Sequence, residues 1–214
     1  RFSYSVKGVI IMIAIIDYGA GNIGSVANMI KYLGGSVKRV RKPEELAEAS
    51  HIILPGVGSF DSGMTKLKES GLVETLNKMV LEDKVPFLGI CLGAQLCTKG
   101  SEEGQMQGLG WLDATTVKFS FPNDSKLRSP HMGWNYVEPQ KEHSILDDLP
   151  PDARFYFVHK YFLLPNNRND ILFLTDYGSR FASGLQSGNI IALQFHPEKS
   201  HRFGMRIIKN FIHI

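Results

Sequence analysis

The feature that most constrains the fold is a cysteine held between two glycines, in G-I-C-L-G at residues 89–93. A short apolar run at 85–88 precedes it and predicts a buried strand, while A-Q-L-C at 94–97 favours a helix. A strand, a glycine-flanked nucleophile and a helix form the thiol counterpart of the G-x-S-x-G nucleophile elbow. This order predicts an α/β fold in which Cys91 lies at the turn between a strand and a helix.

Such a turn can activate a thiol. Glycine permits a tight turn and lets a substrate approach the backbone. The unpaired N–H groups at a helix N-terminus lower the pKa of a thiol, and the N–H of Leu92 would point to the position of an oxyanion. A lone G-x-C-x-G is equally compatible with an inert, buried cysteine behind a βα turn. The catalytic interpretation therefore depends on a second segment.

That second segment is Q-F-H-P-E-K at 194–199, which supplies an imidazole and a carboxylate two positions apart. Residues i and i+2 of an extended chain lie on the same side, so Glu198 can orient His196. One oriented histidine can both maintain a cysteine as thiolate and protonate the leaving group. We therefore predict that Cys91, His196 and Glu198 form a catalytic triad at adjoining strand ends.

With these two segments the chain resembles the class I (triad) glutamine amidotransferases. It is similar in particular to the glutaminase subunits of imidazole glycerol phosphate synthases, which belong to histidine biosynthesis. The narrower resemblance depends on blocks in family order from about Met12: D-Y-G-A-G-N at 17–22, L-P-G-V-G-S-F at 54–60, P-H-M-G-W-N at 130–135, F-V-H at 157–159 and T-D-Y-G at 175–178. It implies a three-layer α/β fold with a central mixed, mostly parallel sheet flanked by helices. It also implies hydrolysis of glutamine to glutamate and ammonia.

The resemblance assigns further residues to the site. It implies an oxyanion hole at Val57, Gly58 and Leu92, in which a peptide flip between the glycines around Val57 completes the hole. It implies substrate binding by Gly58, Gln95 and Glu103; Gln95 lies one helical turn beyond Cys91.

The resemblance also implies a partner. This is a (βα)8-barrel cyclase subunit that uses the ammonia within a heterodimer, and Asn22, Trp134 and Lys199 would contact it. No metal and no organic cofactor are expected.

Length and composition suit one soluble enzyme domain. We interpret residues 12–214 as a single glutamine amidotransferase domain, and residues 1–11 as an extension from an expression vector or from upstream coding sequence. The net charge of +3 is mild and the basic residues are scattered, which argues against nucleic-acid binding. The apolar run at 9–16 is too short to span a membrane. Two cysteines without a disulfide or metal pattern favour the cytoplasm.

Three alternatives remain open at this point. G-A-G-N-I-G at 19–24 matches a dinucleotide fingerprint, but the second strand ends with Arg39 and Arg41 instead of an acidic residue. Ala94 and Lys160 replace the Met and the Ser or Thr usual in the subfamily, which favours a paralogous glutaminase that feeds a different synthase, for example in surface amino-sugar biosynthesis. A non-catalytic module that kept the fold is the third.

The secondary structure expected from periodicity begins with alternating strands and helices and continues with short strands. We expect helices over 23–33, 72–81 and 203–212, and a helix over 64–67 capped by Asp61 or Ser62. Strand-like runs are expected at 13–16, 36–40, 51–54, Trp111, 115–117, 134–137, 155–159, 171–175 and 190–195.

Overall fold

The computed structural model describes residues 5–6, 9–122 and 126–214 of the chain as strands and helices joined by short loops. The α-helices are α1 (Ile23–Tyr32), α2 (Phe60–Glu69), α3 (Val73–Asn77), α4 (Leu92–Leu96) and α5 (His201–Ile212). The first strands are β1 (Ser5–Val6), β2 (Val9–Ile10), β3 (Met12–Ile16), β4 (Ser36–Val40), β5 (His51–Gly56), β6 (Phe87–Cys91) and β7 (Ala114–Lys118). The remaining strands are β8 (His131–Tyr136), β9 (Glu138–Pro139), β10 (Arg154–His159), β11 (Tyr161–Pro165), β12 (Ile171–Asp176), β13 (Arg180–Ser187) and β14 (Ile190–Leu193).

Ten of the described strands form one mixed sheet with two different halves. Strands β4, β3, β5, β6 and β14 pair in parallel, in that order. Beyond β14 the pairing becomes antiparallel through β13, β11 and β7; β12 attaches to β13, and β9 attaches to β12. Strands β8 and β10 form a separate antiparallel pair. The predicted mixed, mostly parallel sheet is therefore confirmed.

Inside the edge strand β4, the parallel strands β3, β5, β6 and β14 are buried on both faces, which makes three layers. Successive residues of β3 point to opposite sides: Ile13 and Ile15 join one apolar cluster, while Ala14 and Ile16 join the other. The first cluster packs under α1 and α5 and under β10. The second packs under α2, α3 and α4. Strands buried on both faces need the near-continuous apolar runs that this sequence has.

Two local predictions are wrong. Helix α2 begins at Phe60 after Ser59, and neither Asp61 nor Ser62 caps it. The Asp61 carboxylate instead accepts hydrogen bonds from the backbone N–H groups of Gln105 and Met106, at 2.9 and 3.0 Å. Trp111 lies in an irregular segment, where its indole donates to Asn77 Oδ1 at 2.7 Å. In both cases a long-range contact replaced the local structure expected from the sequence.

The proposed boundary at Met12 falls within packed structure. The interpreted extension, residues 1–11, lies partly outside the described residues, since only 5–6 and 9–11 of it are described. Strands β1 and β2 pair with each other, and Ile11 is buried in the cluster under α1 and α5. Among the described residues, no helix is long and apolar enough to cross a bilayer.

Candidate active site

Three parallel strands end side by side at one edge of the sheet. Strand β6 lies between β5 and β14, and the register pairs Gly56 with Cys91 and Leu193 with Ile90. Gln194 therefore follows β14 at the level of Cys91. The carboxyl edge of a parallel sheet is where α/β folds place their binding sites.

Cys91 occupies a strained backbone position between β6 and α4. Its φ of 52° and ψ of −108° lie in a region that L-residues rarely adopt, and such positions cluster at functional sites. The turn is possible because the flanking positions Gly89 and Gly93 have no side chain, since neighbouring backbone leaves no space for one. A Cβ at Gly93 would overlap the carbonyl oxygen of Leu54, and one at Gly89 would lie 2.9 Å from the Cα of Ala94.

His196 and Glu198 form a buried pair on the chain that leaves β14. The Nδ1 atom of His196 lies 2.8 Å from Glu198 Oε1, and their side chains are 1% and 3% exposed. The backbone of His196 is fixed as well: its N–H donates to the carbonyl of Tyr156 at 2.9 Å, and its own carbonyl accepts from Ser200 Oγ at 2.6 Å. The imidazole therefore has one defined orientation.

The electrostatics of His196 favour an imidazolium. Burial lowers its pKa, but the Cys91 thiol and the Glu198 carboxylate outweigh that effect and raise the pKa to about 10. The Nε2 atom is buried without a hydrogen bond of ordinary length to any described residue, and Cys91 is its neighbour. This arrangement can hold a thiolate and an imidazolium together.

The segment after β5 lines the same cavity as the thiol and has open space around its backbone. Val57 is 45% exposed, and Gly58 has a φ of 117° with open space where a Cβ would be. Gly56, in contrast, is packed against Tyr18 Oη and against Leu92 and Gly93 of α4. Gly56 thus anchors the segment, and the peptide between Val57 and Gly58 has room to rotate.

A cavity of about 320 Å³ lies above Cys91 and His196. Its lining includes all the residues predicted for the oxyanion hole and for substrate binding: Val57, Gly58, Leu92, Gln95 and Glu103. It also includes Pro130, Val158, His159, Lys160 and Tyr161, from the antiparallel part of the molecule. Glu103 Oε2 accepts a hydrogen bond from the backbone N–H of Phe60 at 2.8 Å, which fixes the carboxylate at the start of α2.

Gln95 is buried, not a surface amide. Its Nε2 atom donates to the carbonyl of Tyr161 and to Gln194 Oε1, both at 3.2 Å. Gln194 in turn directs Nε2 at Cys91 Sγ, 3.8 Å away. Sequence reasoning missed Gln194, Tyr161 and Ser200. Gln194 could have been found, because it directly precedes the F-H-P-E block.

The residues predicted to contact a partner lie on the surface. Asn22 is exposed and caps α1, with Oδ1 accepting from the Ser25 N–H at 3.3 Å. Trp134 is 43% exposed and stacks on His201, with ring centroids 5.6 Å apart. The Nζ atom of Lys199 lies 5.7 Å from the centre of the Tyr156 ring, and that ring lies 6.3 Å from Trp134. Trp134 and Lys199 therefore share one exposed patch.

The glycine pattern at 19–24 has a packing explanation. Gly21 has a φ of 110°, and a Cβ there would lie 3.0 Å from the carbonyl oxygen of Pro55. Arg39 and Arg41 both pair with the buried carboxylate of Asp17, at the end of β3. The loop thus packs against the segment that leads to Val57, and the two arginines are used within the fold. Among the described residues, no group of three or more histidines, cysteines or carboxylates could hold a metal ion.

Comparison with known proteins gives one consistent family. A family model described as "Glutamine amidotransferase class-I" matches residues 14–214. The chain is 52% identical to "Imidazole glycerol phosphate synthase subunit HisH 2" of Methanococcus maripaludis, over 94% of this chain and 98% of that protein. It is 47% identical to the protein of the same name from Pseudomonas aeruginosa, over 95% and 100%.

Two further comparisons extend this. The chain also matches "Imidazole glycerol phosphate synthase hisHF, chloroplastic" of Arabidopsis thaliana with 40% identity. The match covers 94% of this chain but only 34% of that longer protein. Among solved structures, "Structure of PurLQS from Thermotoga maritima" matches with a TM-score of 0.74 and 16% identity, over 95% of this chain and 98% of that one. That likeness concerns the fold.

Proposed function

The chain belongs to the class-I glutamine amidotransferase family, and we propose that it is the glutaminase subunit of an imidazole glycerol phosphate synthase. It hydrolyses glutamine to glutamate and ammonia and delivers the ammonia to a cyclase subunit in histidine biosynthesis. The single observation that carries this proposal is the buried His196–Glu198 pair beside the strained Cys91, under a cavity that also holds Gln95 and Glu103.

The reaction divides into two steps at Cys91. The thiolate attacks the carboxamide carbon of glutamine, and the oxyanion that forms accepts hydrogen bonds from the N–H of Leu92 and from the peptide at Val57 and Gly58. His196 transfers its proton to the leaving nitrogen, so ammonia departs and a γ-glutamyl thioester remains. Water then attacks the thioester and gives its proton to His196, and cleavage of the C–S bond releases glutamate and restores the Cys91 thiolate beside the imidazolium. Glu198 orients the imidazole throughout.

The cavity supplies groups that fit the rest of glutamine. We assign the α-amino group to the Glu103 carboxylate, and contacts to the substrate to Gly58 and Gln95. Both amide hydrogens of Gln95 are directed at Tyr161 and Gln194, so its Oε1 is the atom available to accept a hydrogen bond from a substrate N–H.

The ammonia requires an acceptor enzyme. Residues 12–214 account for one glutaminase domain, and we assign the acceptor chemistry to a (βα)8-barrel cyclase subunit that forms a heterodimer with this chain. The Arabidopsis relative supports a physical association, since its matched part is about a third of a longer chain named as the synthase. Asn22, Trp134 and Lys199 are the proposed contacts. A catalytic thiol that must stay reduced suits the cytoplasm.

The test is a glutaminase assay with the chain alone, with the co-expressed cyclase subunit, and with that complex plus its nucleotide ligand. We expect glutamate release to rise on the order of 10²- to 10³-fold on activation, because one missing oxyanion donor costs about that factor. A histidine auxotroph without its own glutaminase subunit should grow when it receives this gene. Failure of both would contradict the proposed function.

One observation favours a second candidate function. Lys160, which departs from the subfamily pattern, is exposed and lines the cavity. A paralogue with the same glutaminase chemistry could use this position to fit a different synthase, such as one in surface amino-sugar biosynthesis. Glutaminase activity without rescue of the histidine auxotroph would support that alternative.

A further inference from the structure

Two buried histidines outside the triad form a direct pair between β8 and β10. His131 and His159 are cross-strand neighbours, 2% and 5% exposed. His131 Nδ1 lies 3.0 Å from His159 Nε2. Aromatic rings surround them: Tyr177 stacks on His131 at 4.0 Å, and Phe119 and Phe181 contact both rings. Burial in this setting is costly for a polar pair unless every nitrogen is satisfied.

The neighbours of the pair determine where every proton lies. His159 Nδ1 is 2.7 Å from the carbonyl of Tyr161, which can only accept, so Nδ1 carries the proton. His159 Nε2 is then an acceptor, so His131 must donate to it from Nδ1. His131 Nε2 is left as an acceptor, and Asn135 Nδ2 donates to it at 3.2 Å. Both rings are therefore neutral, with the proton on Nδ1.

At its inner end, this series of hydrogen bonds reaches the cavity through the Tyr161 carbonyl. The Tyr161 carbonyl accepts from His159 and also from Gln95 Nε2, so both of its lone pairs are used. Gln95 also donates to Gln194, which contacts Cys91. The position of the Tyr161 carbonyl thus sets which way the Gln95 amide faces.

The outer end reaches the exposed patch. Asn135 uses its second Nδ2 hydrogen on the carbonyl of Asp176 at 2.8 Å, and its Oδ1 accepts from the Tyr136 N–H. On the same strand, the outward side chains of Met132, Trp134 and Tyr136 are 61%, 43% and 58% exposed. Any shift of β8 by a bound partner would be transmitted through Asn135 and His131.

We propose that the hydrogen-bonded chain from Asn135 through His131 and His159 to the Tyr161 carbonyl is a positioning relay. It fixes the orientation of the Gln95 amide in the glutamine cavity and couples that orientation to the strand that carries Trp134. His131 and His159 are positioning residues, since neither reacts with the substrate. The relay deepens the proposed function and rests on it, because it assumes that the cavity binds glutamine.

Two substitutions of His159 separate its two hydrogen bonds in the relay, one to the Tyr161 carbonyl and one to His131. In His159→Asn the new amide can occupy the place of Nδ1 and donate to Tyr161, but it cannot reach His131. In His159→Gln the new amide can accept from His131 at the place of Nε2, but the Tyr161 carbonyl loses its donor. His51→Gln is the matched control. His51 is a buried histidine at the start of β5 that packs on Phe211 and makes no contact with the residues of the relay.

The measurement is steady-state glutamine hydrolysis by the complex of this chain with its cyclase subunit, against the chain alone. For His159→Gln we expect KM for glutamine to rise about tenfold or more, with and without the partner, as loss of one buried hydrogen bond predicts. For His159→Asn we expect stimulation by the partner to fall about tenfold while KM rises at most about threefold. His51→Gln should change neither the KM for glutamine nor the stimulation by the partner.

Several outcomes would overturn the relay. One is equal loss in both His159 variants, which would indicate a purely structural role; another is full partner stimulation in His159→Asn. If the wild-type complex does not hydrolyse glutamine, the proposed function fails, and nitrogen-15 spectra of the labelled chain then decide the relay. A proton on Nε2 of either histidine in those spectra would refute it.

Discussion

The parallel half of the large sheet and the separate β8–β10 pair hold their functional groups in different ways. In the parallel half, the backbone does the positioning: the register aligns Gly56, Cys91 and the start of the His196 segment, and glycines leave no space for a different turn. In the β8–β10 pair, side chains do the positioning. His131 and His159 are placed by hydrogen bonds to each other and to Tyr161 and Asn135.

The difference suits two separate tasks, catalysis in the parallel half and coupling to a partner in the β8–β10 pair. Groups fixed by a sheet register cannot move without disrupting the core, which suits a nucleophile and its base. Groups fixed by a chain of hydrogen bonds can change together when one end moves, which suits communication with a partner. The two regions also respond oppositely to protons: the pKa of His196, which follows the parallel strand β14, is raised to about 10, while burial lowers the pKa of His131 to about 4 and that of His159 to about 3 in the β8–β10 pair.

The largest effect should come from Cys91, the proposed nucleophile. Cys91→Ser should lower glutamine-dependent turnover on the order of 10⁴-fold or more, because no thioester can form. Synthesis from added ammonia should continue, since only the nitrogen source is lost. Cys97→Ser is the control: that thiol is fully buried, donates to the carbonyl of Gly93, and should affect stability only modestly. Near-normal glutamine hydrolysis by Cys91→Ser with its partner would refute the assignment.

Glu198→Gln should cost roughly 10² to 10⁴ in kcat, the scale seen when a triad carboxylate becomes an amide. It should also change how stability depends on pH. The raised pKa of His196 means that its imidazolium stabilises the fold fully below pH 6.5, and that this contribution disappears as the pH rises through about 10. Urea unfolding from pH 6 to 10 should therefore show a smaller alkaline loss in the variant than in the wild type. Identical slopes would mean that Glu198 does not sustain the charge.

Gly93→Ala tests the backbone positioning directly. The added Cβ would overlap the carbonyl of Leu54 in β5, so we expect a loss of roughly 1–3 kcal/mol or more in unfolding free energy. Gly24→Ala is the matched control in α1, where a Cβ meets nothing within 4 Å. That change should be neutral or stabilise by up to about 1 kcal/mol. Equal stability of the two variants would show that the backbone at Gly93 has space for a side chain next to Leu54.

Acid should act on the β8–β10 pair. The lowered pKa values of His131 and His159 mean that protons bind the unfolded chain more readily. The contribution of the pair is therefore complete above pH 6.5 and is lost as the pH falls from 6.5 toward 4. The His131 ring faces Tyr177, and His196 is the charged group near His159. His159→Gln should reduce the slope of unfolding free energy in this window by up to about 1.4 kcal/mol per pH unit. An unchanged slope would contradict buried, neutral histidines.

What the sequence could predict divides between local patterns and long-range contacts. The positions of most strands and helices in the parallel half, the turn at Cys91 and the likeness of the chain to its family follow from short local patterns. The contacts of Asp61, Trp111, Gln95 and His159 do not, because each depends on a residue distant in sequence that only the folded chain brings near. Strands β11 and β13 were missed for a related reason, since pairing with neighbours stabilises them more than their own composition does.

The smallest effect separates two roles of Asn22, which caps α1 and is also a proposed partner contact. Serine caps a helix about as well as asparagine, whereas alanine does not, and the loss costs about 1 kcal/mol. Asn22→Ala should therefore lower the unfolding free energy by about that amount, while Asn22→Ser should leave it nearly unchanged. If the amide also contacts the cyclase subunit, both variants should bind that subunit several-fold more weakly in a titration, despite their different stabilities. Wild-type affinity in Asn22→Ser would restrict Asn22 to its capping role and leave the interface to Trp134 and Lys199.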